Sequence, residues 1–167
     1  MINMKISTRF SDSIHILAFI SIYQGKIPLT SDNIANSVET SPVVVRRLMS
    51  QLNKAGLINT THGVAEPKLA KDPADISLYD VFIAIEHNQH LFTVDEKTNP
   101  ECIVGGNIQE TLRAYYDQVE VAAEAKLARI SLADVIDSII VKEAQKKAER
   151  NDWHDKVFHH RCYRPPR

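Results

Sequence analysis

Seven consecutive residues, Ser41-Pro42-Val43-Val44-Val45-Arg46-Arg47, have the makeup to read a polyanion. An arginine can grip the edge of a guanine with two parallel hydrogen bonds or pair with a phosphate, and a valine can pack on a thymine methyl. A second group with chemical capacity is Cys102, set in Asn99-Pro100-Glu101-Cys102-Ile103-Val104-Gly105-Gly106. A free cysteine is either a small buried hydrophobe or, where its thiolate is favoured, a nucleophile open to oxidation. Glu86, His87 and His90 are metal-ligand types, but no further ligand stands at a characteristic spacing, so no metal site is expected there.

The arginines need a rigid platform, and the surrounding pattern supplies one. Ser31 is placed to cap a short helix whose inward positions are Ile34, Ala35 and Val38. The small Ala35 lets a second helix cross closely. A turn over Glu39-Thr40 leads to Ser41 as N-cap and Pro42 at the first helical position, where its missing N–H costs nothing. The next helix, Pro42 to Ala55, keeps Val45, Leu48, Met49 and Leu52 on one side and Arg46, Arg47, Ser50 and Gln51 on the other. Gly56 ends it in a left-handed cap. Residues 57–61 are rich in β-branched types, His62-Gly63 begins a turn, and residues 68–71 return as a second strand. Two helices and a hairpin in this order make a winged helix-turn-helix, with Val43, Val44, Arg46 and Arg47 where a recognition helix meets bases and phosphates. Lys5, Arg9, Ser31, Thr61, His62 and Lys68 are the expected contacts to phosphate or the minor groove.

Outside this unit the spacing predicts a first helix from about Ser7 to Tyr23, with Phe10, Ile14, Leu17, Ala18 and Ile20 inward. Pro73 separates the hairpin from a helix capped by Ser77 and Asp80, and Ser131 and Asp134 repeat that arrangement before another helix. Between them a long helix is expected from Asn107, as N-cap, to Ile130. Along it Ile108, Leu112, Tyr115, Val119 and Ala122 form a heptad-like apolar seam that predicts a homodimer. The fold class is therefore mainly α with a small β-hairpin: a winged helix-turn-helix plus a long dimerisation helix. The divisions are 1–86 for the DNA-binding unit, 87–106 for a sensor loop, 107–150 for the dimerisation and packing helices, and 151–167 for a flexible basic tail.

The formal net charge of −1 conceals a segregation. Residues 40–71 carry Arg46, Arg47, Lys54, Lys68 and Lys71 against Glu66 alone, whereas residues 72–141 hold 13 acidic and 4 basic side chains. A basic reading unit followed by an acidic body favours a polyanionic partner for the former. No stretch reaches the about 18 apolar residues of a membrane span. The N-terminus lacks a signal-peptide core, and two cysteines give no disulfide framework, so a cytoplasmic protein is expected. A phosphate-cradling glycine loop, or a nucleophile with a plausible base, is also missing, so no enzyme is expected.

The combination ISTRFSDSIHIL, LTSDNIANSVETSP-VVVRRLMSQLNKAGLI and HGVAEPKLAKDPADISLYDVFIAIE resembles the Rrf2 family of bacterial winged-helix transcriptional regulators, over residues 4 to about 140. The resemblance implies a homodimer on a pseudo-palindromic double-stranded operator, with the long helix as the dimer contact. Cluster-binding members of the family place three cysteines in the loop where this chain has only Cys102. One thiolate cannot hold a [2Fe–2S] cluster that needs four protein ligands, so no cofactor is expected. The wing tip also departs from the family's glycine-rich pattern, with Glu66 and Pro67 in place. Two functions follow as expectations. One is a homodimeric DNA-binding regulator, a repressor, controlled through a thiol or small ligand near Cys102, or by an unidentified protein effector. The other is a winged-helix interaction module without specific DNA readout.

Overall fold

The computed structural model describes residues 8–61, 66–86 and 90–149. Lys5, His62, His87 and the tail 151–167 lie outside them. Six helices and one hairpin follow in order: α1 (Thr8–Tyr23), α2 (Ser31–Val38), α3 (Pro42–Lys54), β1 (Ile58–Asn59), β2 (Lys68–Leu69), α4 (Leu78–Glu86), α5 (Ile108–Leu127) and α6 (Leu132–Glu149). The mainly α fold with a small β-hairpin expected from the sequence is the one observed.

Helix α1 is the hub, because its apolar residues occur on too many sides for a single neighbour to cover. Ile16, Leu17 and Ile20 are fully buried, and the helix packs against α2, α3, α4 and α6. Across it, α2 contributes Ile34 and Ala35, α3 contributes Val45, Leu48 and Leu52, and α4 contributes Val81 and Ile85. Leu57 and Ile58 carry this core into the hairpin, and Leu132 and Ile136 carry it into α6. Phe10 meets Phe82 edge to face, with ring centroids 5.6 Å apart.

The turns follow from local chemistry, with two corrections. The N-cap of α2 is Thr30 rather than Ser31. Thr30 has the extended backbone a cap requires and accepts from the Asn33 N–H at 3.2 Å, while Ser31 is already the first helical residue. The neighbouring Asn33 is buried and satisfied by donating to the Pro28 carbonyl at 2.8 Å, which seats the link into α2. Glu39 closes α2 in the left-handed region at φ 59°, a conformation a glycine would adopt more readily. Gly56 takes that role after α3 at φ 70°.

The hairpin pairs antiparallel, with Ile58 opposite Leu69 and Asn59 opposite Lys68. A 3-10 turn over Pro73–Asp75, capped by Asp72, then leads to α4. Ser77 and Asp80 cap each other as expected: the Asp80 carboxylate accepts from the Ser77 N–H at 2.9 Å, and the Ser77 hydroxyl accepts from the Asp80 N–H at 3.1 Å. Ser131 and Asp134 repeat this geometry at 2.8 and 3.1 Å. The two caps stand side by side, because the Leu78 N–H donates to the Ile130 carbonyl and the Leu132 N–H to the Ile76 carbonyl. The second correction is at α5. Asn107 occupies the N-cap position but does not cap; its side-chain amide donates back to the Ile103 carbonyl at 2.7 Å.

Candidate nucleic-acid interface

Helix α3 separates its residues cleanly. Val45, Leu48 and Leu52 are sealed in the core, while Val43, Val44, Arg46, Arg47 and Ser50 face solvent. Val43 is 66% and Val44 37% exposed, so the start of the helix presents apolar surface beside the two arginines. Ser41 sits at the helix start and accepts from the Val44 N–H at 3.3 Å. Removing such a cap costs about 1 kcal/mol. Ser41→Ala should therefore lower the thermal midpoint by a few degrees while the far-ultraviolet circular dichroism of the folded protein stays unchanged.

The helix N-terminus, Arg46 and Arg47 together make a positive, donor-rich edge whose cations have no salt-bridge partner among the described residues. Two expected contacts are arranged differently. Arg9 is only half exposed, and its guanidinium donates to the Gln51 side chain at 2.7 Å, so it ties α1 to α3. Ser31 is half-buried in the first turn of α2. Thr61 and Lys68 are exposed on the two arms of the hairpin, flanking its tip. His15 bonds to the Ser37 hydroxyl at 2.9 Å and links α1 to α2, and burial lowers its imidazole pKa against the opposing pull of Asp12.

Helix α5 has no buried residue, though it is the longest helix among the described residues. Ile108 and Leu112 are half-exposed, Tyr115 is 62% and Val119 49% exposed, and Ala122 is exposed as well. The other side of the helix receives the preceding loop. Phe92 stacks on Tyr116 with centroids 5.1 Å apart, and Glu120 accepts from the Phe92 N–H at 3.2 Å and from His90 at 3.1 Å. His90 therefore belongs to a latch with Glu120, which raises its pKa, rather than to a bare polar loop.

At the far end of that loop Cys102 is exposed, with no packing against the core of its own chain. Backbone hydrogen bonding from Gly105 and Val104 lowers its thiol pKa. That turn needs glycine, since a Cβ at Gly105 would collide with the Asn99 carbonyl. The donor set for a metal centre is thin: among the described residues no three His, Cys, Asp or Glu side chains cluster, and Cys102 is the loop's only thiol. These residues do not fit an iron or iron–sulfur centre.

Comparison with known proteins agrees with this architecture. The profile of the Rrf2 family, described as iron-dependent transcriptional regulators, matches residues 6–138. YwnA of Bacillus subtilis (strain 168), provisionally assigned as a helix-turn-helix-type transcriptional regulator, is 43% identical over 134 residues, covering 80% of this chain and 98% of YwnA. A crystal structure provisionally assigned as a DNA-binding protein is 41% identical with a TM-score of 0.62, covering 77% of this chain and 98% of that one. CymR, the global cysteine regulator of B. subtilis, shares the fold at a TM-score of 0.59 and 22% identity, over 80% of this chain and 96% of its own.

Proposed function

The chain belongs to the Rrf2 family of transcriptional regulators, and from that premise we propose that it is a homodimeric, sequence-specific DNA-binding repressor governed by the Cys102 thiol. The observation that carries the reading is the division of α3, whose core side locks its orientation while Val43, Val44, Arg46 and Arg47 face outward. Ser41 and the first N–H groups of the helix are suited to a phosphate, the arginines to guanine edges or phosphate, and the valines to thymine methyls. Thr61 and Lys68 extend the contact along the backbone, with Lys5 and His62 kept as candidates on sequence grounds. Arg9 acts mainly by holding Gln51 and hence α3, and Ser31 stands beside the phosphate path at the start of α2.

Two such heads are needed for a pseudo-palindromic operator, and α5 supplies the surface on which two copies can pair. Ile108, Leu112, Tyr115, Val119 and Ala122 lie unburied along it. Cys102 sits just before that helix. Its thiolate, favoured by the amides of Gly105 and Val104, can attack a peroxide, breaking the O–O bond to leave a sulfenic acid and release hydroxide. A sulfenic acid no longer suits the two N–H groups that held the thiolate. The turn before α5 is then remade, and the angle between the two heads shifts.

Selection from a random double-stranded DNA pool at near-physiological salt tests this reading with the protein reduced and then treated with peroxide. The expected result is an enriched palindrome in the reduced protein, lost on oxidation and retained by Cys102→Ser under both conditions. Enrichment indifferent to peroxide would remove the switch and leave the regulator. No enrichment in either state would favour an interaction module.

A further inference from the structure

At the C-terminal end of α3, on the side that also carries Arg47, a cavity of about 660 Å³ opens between that helix, the base of the hairpin and α4. Its size lies within the range of small-molecule sites. Its floor is apolar, formed by Leu57, Ile83 and Ala84, and its rim carries Lys54 from α3, Lys71 from just beyond β2 and the Tyr79 side chain from α4. Neither lysine has a salt-bridge partner among the described residues. The one carboxylate on the rim, Asp80, already accepts the Ser77 N–H at 2.9 Å and the Ser77 hydroxyl at 2.7 Å as the cap of α4. The rim therefore offers two unengaged cations and a phenol above a greasy floor.

We propose that this cavity binds a small amphipathic monocarboxylate, its charged end between Lys54 and Lys71 and its apolar body on Leu57, Ile83 and Ala84, and that its occupancy biases the setting of α3. Size and charge together select the class. A bare inorganic anion would leave the floor uncovered, and a neutral apolar molecule would leave both ammonium groups unmatched. The connection to α3 is short. Lys54 is the last residue of the recognition helix, Ala55 and Leu57 follow it into β1, and Gln51, also on the cavity wall, is held by Arg9. A ligand drawing Lys54 toward Lys71 acts on the end of α3 opposite to the one that presents Val43 and Val44. The regulatory half of this inference rests on the DNA-binding reading above; the binding half does not.

Titration calorimetry of the full chain, without DNA, decides the binding half with benzoate, hexanoate and inorganic phosphate as probes. The expected result is saturable binding of benzoate or hexanoate, one per chain, weakened about tenfold or more in the Lys54→Ala/Lys71→Ala double variant. Ile83→Gln, which keeps both lysines and alters only a partly exposed floor position, should weaken the carboxylates and leave any phosphate binding unchanged. Amide resonances of residues 54–57 and 79–84 should shift on titration with benzoate. No saturable binding, binding insensitive to both variants, or phosphate bound as well as benzoate would each overturn the site. Where an operator has been selected, benzoate should change its affinity by the factor by which the operator changes that of benzoate. Unchanged operator affinity with benzoate bound would overturn the link to α3 alone.

Discussion

Arg47→Ala should weaken binding to the selected operator by about 1–3 kcal/mol, roughly five- to 150-fold, and flatten the preference at one base pair in each half-site. The fold should not register the change. Arg47 faces solvent, has no salt-bridge partner among the described residues, and lies on a helix anchored elsewhere by Val45, Leu48 and Leu52. Loss of affinity would thus be loss of contact. The same holds for Arg46, which makes the pair informative. A side chain that meets only phosphate, when truncated, weakens all sequences equally and reduces the slope of log affinity against log salt by about one. A side chain that reads a guanine relaxes one position of the selected sequence. Salt titrations of Arg46→Ala and Arg47→Ala on the operator and on a scrambled duplex separate the two roles. Arg9→Ala is a poorer probe, because it also breaks the 2.7 Å bond to Gln51 and disturbs the setting of α3.

The second large effect is expected on α5. Tyr115→Asp combined with Val119→Asp should convert the protein to a monomer at micromolar concentration and remove tight operator binding, while a single half-site is still bound weakly. A two-fold interface places each substitution twice, and an unpaired charge buried between subunits costs several kcal/mol. Within one chain the substitutions are mild, since Tyr115 is 62% and Val119 49% exposed. Light scattering after size exclusion should give the mass of one chain, with the thermal midpoint of that monomer setting the contribution of the partner. A variant that stays dimeric would place the contact elsewhere, and the exposed Ile139, Ile140 and Val141 of α6 would be the next surface to charge.

What could be read from the residues divides by range. Caps and turns written within four positions were legible: Ser41 with Pro42, Ser77 with Asp80, Ser131 with Asp134, and Gly56 after α3. So was the sorting of α3 into a core side and a solvent side, because a period of 3.6 is enough to state it. Thr30 and Ser31 were ambiguous, since adjacent hydroxyls offer the same chemistry and the backbone leaving Pro28 decides which one caps. The 3-10 turn at Pro73–Asp75 had a signal in Asp72-Pro73, an acceptor followed by a residue fixed for a first turn. Contacts between distant positions left no local trace. His90 and Glu120 are thirty residues apart, Arg9 and Gln51 forty-two, and Lys54, Lys71 and Tyr79 line one cavity only after α3, the hairpin and α4 have packed. Cys102 was legible as a residue but not as an environment, because its exposure depends on a turn in which Gly105 lies against the Asn99 carbonyl.

The paired hydrogen bonds that join Leu78 to Ile130 and Leu132 to Ile76 divide the chain in a way its sequence order hides. Everything between those points, including α4, the Cys102 loop and α5, leaves from one spot and comes back to it. The excursion is therefore a closed ring hung on a two-stranded clasp, and α6 resumes where α4 began. Lengthening a ring is inexpensive, about 0.6 kcal/mol for each doubling of its flexible part. The stretch ahead of α5 is thus a place where the chain can gain residues, accept a fluorescent tag or exchange one loop for another. The clasp holds α6 in the core through Leu132 while such changes are made, so this stretch can be rebuilt while the packing around α1 is kept.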